Sequence, residues 1–398
     1  MSNLSQNGNR WKTSHVITRM IVGGAQKATL DTLQLLPAST YDLDVICGPQ
    51  TGPEGELLSE ARRTGVKLTV LPTLVREVNP ICDLRALASL ARIMKRERYH
   101  IVHTHSSKAG ILGRLAARLV RVPVVVHTVH GWGHHDRMPV WERRSYILLE
   151  RLLAKSTDML LVETDFHAQK GLRDGIGTPE KYLTIRPGID LEELGRVQSV
   201  RDQVLRQTEW PDSSVLVGTV ARLAPQKAPV DFVKMAKGVA AKCPSARFLM
   251  VGDGPLRPEV ERAIDDYGLH NLCHLTGLRL DVPALLKSMD VFVLTSLWEG
   301  LPRIFPEAMA CRLPVVATRM AGSLETIREG QNGFLVAPSD VEALIERVAC
   351  LVSNPDLRTQ FGLEGERRVN RAFSVRRMVE RIDQVYQQLL AEKKVQLN

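Results

Sequence analysis

Glu299 and Glu307 are separated by seven residues in the stretch Glu299-Gly-Leu-Pro-Arg-Ile-Phe-Pro-Glu307, just after the apolar run Val291-Phe-Val-Leu-Thr295. The second glutamate opens a helical pattern, Glu307-Ala-Met-Ala-Cys311. Upstream, Arg222-Leu-Ala-Pro-Gln-Lys227 sets two cations behind another strand-like run, Val215–Val220. Carboxylates accept hydrogen bonds from hydroxyl groups, and a paired Arg and Lys grip phosphates. In this order along one chain, the four side chains describe a pocket for a sugar nucleotide.

Other groups suit the same pocket. Gly23-Gly24-Ala-Gln26 follows the first strand and opens a helix. Glycines let a ligand approach the backbone, and helix N-terminal amides favour anions. His130 ends Pro123-Val-Val-Val-His-Thr-Val-His130, where a histidine can orient a sugar or donate a hydrogen bond near a reacting bond. His127, inside that run, reads as a packed strand residue. His103 and His105 flank another strand end, near Ser106-Ser-Lys-Ala-Gly110. Neither they nor His134-His135-Asp136 have a matching ligand set, so no metal site is expected. Asp42-Leu-Asp44, an acidic pair of a type that holds metals, straddles a strand start and reads as structural.

The elements that must carry these residues alternate. Strand candidates in the front half are Val16–Thr18, Leu43–Ile46, Val66–Val70, Ile101–Thr104, Val122–Val126 and Met159–Val162, with helices such as 83–98 and 107–120 between them. The back half repeats the scheme with Val215–Val220, Phe248–Val251, Leu272–Leu275, Val291–Thr295 and Pro314–Ala317, then turns helical from Asp340. Asn332-Gly333-Phe334 is a turn before a short strand. Alternation of this kind predicts an α/β fold with two doubly wound parallel sheets, and ligands bind outside the carboxyl ends of such strands. A linker is expected around Gly188–Val200.

Length and composition agree. A chain of 398 residues exceeds one ordinary core. No apolar run approaches the ~18 residues of a membrane span, and the polar N-terminus lacks the apolar stretch of a signal peptide. Six cysteines are scattered singly, without a CxxC pair, so a reducing cytoplasm is the expected compartment. Residues 1–190 hold 26 Lys and Arg against 18 Asp and Glu, a balance of +8; the remainder is +1. The basic half reads either as a surface for an anionic partner, membrane headgroups included, or as an ordinary solvated surface. The segment 139–155 has an apolar stripe, Trp141, Leu148, Leu149 and Leu152, opposite Arg143, Arg144, Arg151 and Lys155. Such a helix either lies on an anionic bilayer or packs its stripe on the sheet, and packing is the favoured reading.

The ordered motifs resemble glycosyltransferase family 4, whose two facing Rossmann-like domains form the GT-B architecture with an interdomain cleft. The resemblance runs from Gly23-Gly24 to about Phe373-Ser374 and is strongest between Val217 and Val336. It implies an acceptor-binding domain over 1–190, a nucleotide-sugar domain over 191–373, and a C-terminal helix, 374–398, packing back on the first. Arg222, Lys227 and the Gly23-Gly24 loop would meet the donor diphosphate. Glu307 would bind the ribose, and His130 and Glu299 would serve the reacting sugar as catalytic groups. Gly252-Asp-Gly-Pro255 and Ala321-Gly-Ser-Leu-Glu325 match further family turns, with Ser323 in place of a glycine. The chain also departs from the family at Ala228, usually Gly, at Glu163, where Ser is common, and at Pro187, often Asn.

The implied activity is metal-independent, retaining transfer of a sugar, from a UDP-sugar above other nucleotide sugars, to a hydroxyl of a lipid-linked or polysaccharide precursor. It implies a cytoplasmic enzyme, with peripheral contact at the inner face of the membrane left open. Two rivals stand beside this reading. A sugar-nucleotide 2-epimerase of the same architecture would need its acid/base carboxylates and histidines in another order. A non-catalytic protein binding nucleic acid would need interleaved basic and aromatic residues, and only 5% of the chain is aromatic, so no nucleic acid partner is expected.

Overall fold

Helices alternate with strands along the whole chain in the computed structural model, which describes residues 10–50, 55–134 and 138–397. His135 and Asp136 lie outside the described residues. The chain divides into two units, one of residues 1–187 with 376–398, the other of residues 188–375.

The first unit runs β1 (Trp11–Arg19), α1 (Gly24–Leu35), β2 (Tyr41–Gly48), α2 (Leu58–Arg63), β3 (Lys67–Val70), α3 (Pro80–Glu97), β4 (Ile101–His105), α4 (Ser107–Leu119), β5 (Val124–Val129), α5 (Val140–Ala154), β6 (Met159–Val162), α6 (Asp165–Arg173) and β7 (Tyr182–Thr184). Its parallel strands lie in the order β3-β2-β1-β4-β5-β6-β7. A parallel sheet is covered on both faces, so runs such as Val124-Val-Val126 are apolar without alternation. Local caps set the helix starts: Asn79 accepts from the amides of Ile81 and Cys82 ahead of α3, and Thr164 accepts from His167 ahead of α6.

The second unit follows with α7 (Leu191–Arg196), α8 (Arg201–Thr208), β8 (Val215–Val220), α9 (Pro229–Lys242), β9 (Ala246–Val251), α10 (Arg257–Asp266), β10 (Cys273–Leu275), α11 (Val282–Leu286), β11 (Val291–Leu294), α12 (Ile304–Ala310), β12 (Val315–Thr318), α13 (Ala321–Thr326), β13 (Gly333–Val336), α14 (Val341–Ser353) and α15 (Pro355–Ala372). Its sheet has the order β10-β9-β8-β11-β12-β13. Apolar side chains fill both sides of it: Phe232, Phe248, Val291 and Val293 on one, Leu216, Leu249, Phe292, Leu294 and Phe305 on the other. The last helix, α16 (Val375–Glu392), belongs almost wholly to the first unit. There Asp383 accepts from the Tyr41 hydroxyl at 2.5 Å, and Lys393 pairs with Asp158 at 2.6 Å.

In each sheet the strand order reverses beside its first strand, between β1 and β4 and between β8 and β11. The carboxyl ends of the strands flanking such a switch point are where doubly wound folds bind ligands.

The boundary between the units falls at Pro187 and Gly188, and the stretch that follows carries α7, capped by Asp190, whose side chain accepts from Glu193 N. One strand was missed and one expectation is corrected. The short edge strand β7 was not anticipated, because three half-buried residues carry no periodic signal. The stripe on α5 does not pack: Trp141 is 73% and Leu148 58% exposed, and Leu149 and Leu152 are exposed as well. The buried side of α5 carries Glu150, Leu153 and Ala154. Glu150 receives both its contacts from one Arg114 nitrogen, at 2.8 and 2.9 Å, and Arg114 is fully buried in α4. A buried ion pair thus turns the helix to a face that hydrophobicity alone would leave in water.

Candidate active site

The second unit builds its site on the two strands at the switch point. After β8, Ala221 and Leu223 continue a backbone ladder, their amides donating to the carbonyls of Val251 and Asp253. This close approach needs glycine opposite. Gly252 and Gly254 have φ of 137° and 159°, and a Cβ on them would stand 2.0 and 2.5 Å from the Ala221 and Leu223 carbonyl oxygens. The Gly252-Asp-Gly-Pro255 turn therefore clamps the loop that carries Arg222. The loop then makes a 3₁₀ turn, Pro225–Lys227, and enters α9 through Ala228 and Pro229. Ala228, where the family pattern has glycine, is left-handed at φ 43° and ψ 54°. An alanine there is strained by roughly 1–2 kcal/mol. The Thr295 hydroxyl, after β11, lies 2.8 and 3.0 Å from the carbonyls of Lys227 and Ala228 and secures the turn.

That turn brings Lys227 against Glu299: the ammonium donates to Oε1 of the carboxylate, and both side chains are mostly buried. Ser296 Oγ also donates to Oε1 at 3.0 Å, and Gln226 Nε2 reaches Oε2 at 3.3 Å and the Trp298 carbonyl at 2.8 Å. A cation suited to phosphate and a carboxylate suited to hydroxyls are thus in direct contact. Glu307 lies in the first turn of α12, where the helix dipole favours an anion, with Arg303 Nε 3.5 Å from its Oε1. Arg303 is buried, and the sequence reading passed over it; its spacing of four from Glu307 was the available signal. The structure unites Lys227 with Glu299, places Glu307 on the following helix with Arg303, and keeps Arg222 on the loop at the end of β8.

In the first unit, Gly23 caps α1 in an extended conformation, and a Cβ there would meet only the flexible end of Gln26. His130 follows β5. Its Nδ1 lies 2.8 Å from Glu163 Oε1, and its Nε2 lies 3.1 Å from His105 Nδ1. These groups line a small, half-open recess whose other walls include Thr29, Thr128, Leu161, Ile185 and Met378. Both His130 ring nitrogens are therefore engaged by protein groups. Glu163 is one of the departures from the family pattern, and no local spacing links it to His130. His127 is buried on the opposite face, with Nδ1 3.1 Å from the Thr104 carbonyl, as a packed residue. His134 is buried against Asp174 at 2.8 Å. Asp44 accepts from Tyr99 and sits 3.5 Å from Lys67, which makes it part of the packing around β2.

The comparisons with known proteins point the same way in both units. Residues 23–188 match the model of the glycosyl transferase 4-like domain, and residues 200–368 match that of glycosyl transferases group 1. The chain is 32% identical to an Escherichia coli UDP-Gal:alpha-D-GlcNAc-diphosphoundecaprenol alpha-1,3-galactosyltransferase, over 96% of this chain and 98% of that one. It is 30% identical to the putative glycosyltransferase EpsD of Bacillus subtilis, over 76% and 80%. Among solved structures, Anabaena HepE in complex with UDP and glucose shares the fold with a TM-score of 0.81 at 20% identity, covering 95% of this chain and all of that one. The chain belongs to glycosyltransferase family 4, with the GT-B architecture.

Proposed function

We propose that this glycosyltransferase moves a hexose from a UDP-sugar to a hydroxyl of a lipid-linked sugar diphosphate, with retention of configuration and without a metal. The carrying observation is the contact between Lys227 and Glu299 at the carboxyl ends of β8 and β11. The leaving diphosphate gains charge as the bond to the sugar breaks, and a cation beside it stabilises that change more than it stabilises binding. Lys227, with Arg222, would supply this charge. Glu299 would hold sugar hydroxyls, and Glu307 the ribose. The donor and acceptor are suggested by the E. coli galactosyltransferase, similar over nearly its whole length.

Among the described residues no helix is long and apolar enough to cross a membrane. A lipid-linked acceptor instead suits a peripheral contact, and α5 presents one. Its exposed side carries Trp141, Leu148, Leu149 and Leu152 among the exposed cations Arg144, Arg151 and Lys155. Apolar insertion combined with anionic-lipid attraction is how interfacial helices bind, here at the cytoplasmic face.

The test is direct. The protein is incubated with UDP-galactose, UDP-glucose or UDP-GlcNAc and a polyprenyl-diphosphate-linked GlcNAc, in EDTA, and products are read by mass spectrometry. The reading expects one hexose added to the lipid. Conversion of the nucleotide sugar without acceptor would favour the epimerase, and dependence on added magnesium or manganese would refute metal independence.

A further inference from the structure

A run of buried polar side chains crosses one face of the first sheet, and the register explains why. Successive strand residues point to opposite faces. His103 and His105 therefore share a face of β4, His15 of β1 is the register partner of His103, and Thr128 of β5 is that of His105. Tyr386 of α16 comes down on this face. The groups form one continuous chain. Glu163 meets His130 Nδ1 at 2.8 Å, His130 Nε2 meets His105 Nδ1 at 3.1 Å, and His105 Nε2 meets His15 Nδ1 at 3.0 Å. His15 Nε2 then meets the Tyr386 hydroxyl at 3.3 Å, that hydroxyl meets His103 Nδ1 at 2.5 Å, and His103 Nε2 meets Thr128 Oγ1 at 2.6 Å.

With the His130 ring neutral, the acidic end sets the direction of the protons along this chain. An ionised carboxylate only accepts, and a neutral imidazole has one donor and one acceptor nitrogen. Burial holds His15, His103 and His105 neutral by lowering their pKa values, and it keeps the Tyr386 hydroxyl protonated. With a neutral His130 ring, Glu163 accepts from His130 Nδ1–H, His130 Nε2 accepts from His105 Nδ1–H, and His105 Nε2 from His15 Nδ1–H; an imidazolium at His130 would reverse the order. His15 Nε2 then accepts from Tyr386, whose oxygen accepts from His103 Nδ1–H. Thr128, able to donate or accept, closes the chain without conflict.

We propose that Glu163 is a positioning residue that, through this relay, holds His130, His105, His15 and His103 in a single tautomer with the proton on Nδ1. The relay locks the His130 ring at the recess and ties its orientation to α16. Its bearing on sugar transfer rests on the reading that His130 faces the donor sugar; the tautomers do not. A metal ion is the exclusive alternative. Ring nitrogens of His15, His103 and His105 lie within 4.8 Å of one another, but each neutral ring has one lone pair, and in the relay each is already taken by a neighbour's proton.

The test is ¹⁵N NMR of the histidine rings in the full-length protein, which distinguishes Nδ1–H from Nε2–H. The wild type should show the four rings as Nδ1–H at neutral pH. In Glu163→Gln, whose amide can donate or accept, the enforced polarity is lost, and all four rings should move toward mixed or Nε2–H patterns. In Tyr386→Phe the carboxylate still polarises its end, so only His103 should change. Unchanged rings in Glu163→Gln, or all four changing in Tyr386→Phe, would overturn the proposal. So would a stoichiometric transition metal in the purified protein whose removal by chelator shifts these rings. Loss of sugar transfer in Glu163→Gln with UDP binding intact would extend the relay to catalysis; intact transfer would confine it to structure.

Discussion

The two units share a topology and differ in what they bury. The second sheet is packed with Phe232, Phe248, Phe292, Val291 and their neighbours, and keeps its charges at the carboxyl ends of β8 and β11. The first buries His15, His103, His105, His127, Tyr386 and the Arg114–Glu150 pair inside its layers. A unit with an apolar core can hold a charged site at its rim without pH sensitivity of the core. A unit that buries neutral histidines is stable only while they stay neutral.

Acid should break this contrast most forcefully. Burial lowers the His15 pKa to about 3 and depresses His103 and His105 well below the usual value. Their unfolded counterparts take up protons near pH 6.5, so the unfolded state binds more protons below that pH. Stability is full above pH 6.5 and falls as pH drops toward 3. Three such groups cost on the order of 4 kcal/mol by pH 5.5. Hydrogen exchange followed from pH 7.5 to 5.5 should show peptides of β1 and β4 losing protection before those of β8 and β11. Simultaneous loss in both sheets would erase the distinction.

The next effect belongs to the second unit. Lys227→Ala removes a charge-assisted contact to the leaving group worth about 3 kcal/mol, and turnover should fall by about two powers of ten in a variant that circular dichroism shows to be folded. Undiminished turnover would take Lys227 out of the reaction. A subtler division separates the carboxylates. Glu299→Gln frees Lys227 from its ion pair, so UDP should bind at least as tightly while kcat falls; Glu307→Gln should mainly raise the donor KM. Exchanged outcomes would exchange the roles. The smallest change is Ala228→Gly, which relieves the left-handed alanine and should raise stability by up to ~1 kcal/mol, read by denaturant midpoint. A loss of stability would mean the turn is unstrained.

How legible each unit was in the sequence follows the same contrast. Arg222, Lys227 and Glu299 sit on the turns and loops after apolar strands and Glu307 at the start of the next helix, where local spacing announces them, and the Gly252 and Gly254 turn declares its own geometry. In the first unit the chemistry is assembled by register. Nothing local connects His15 with His105, or Glu163 with His130; parallel pairing across β1, β4, β5 and β6 brings them together. The α5 stripe misled for a related reason, since its buried face is chosen by Arg114, a residue on another helix.

The most direct measurement is the melting temperature of the full-length protein with UDP, GDP and ADP, in wild type and Lys227→Ala, with EDTA present. A ligand bound only to the folded state adds about 2.7 kcal/mol at a hundred times its Kd. UDP should raise Tm more than GDP or ADP, and Lys227→Ala should lose most of that rise. No shift with any nucleotide, or a UDP shift untouched by Lys227→Ala, would contradict the account.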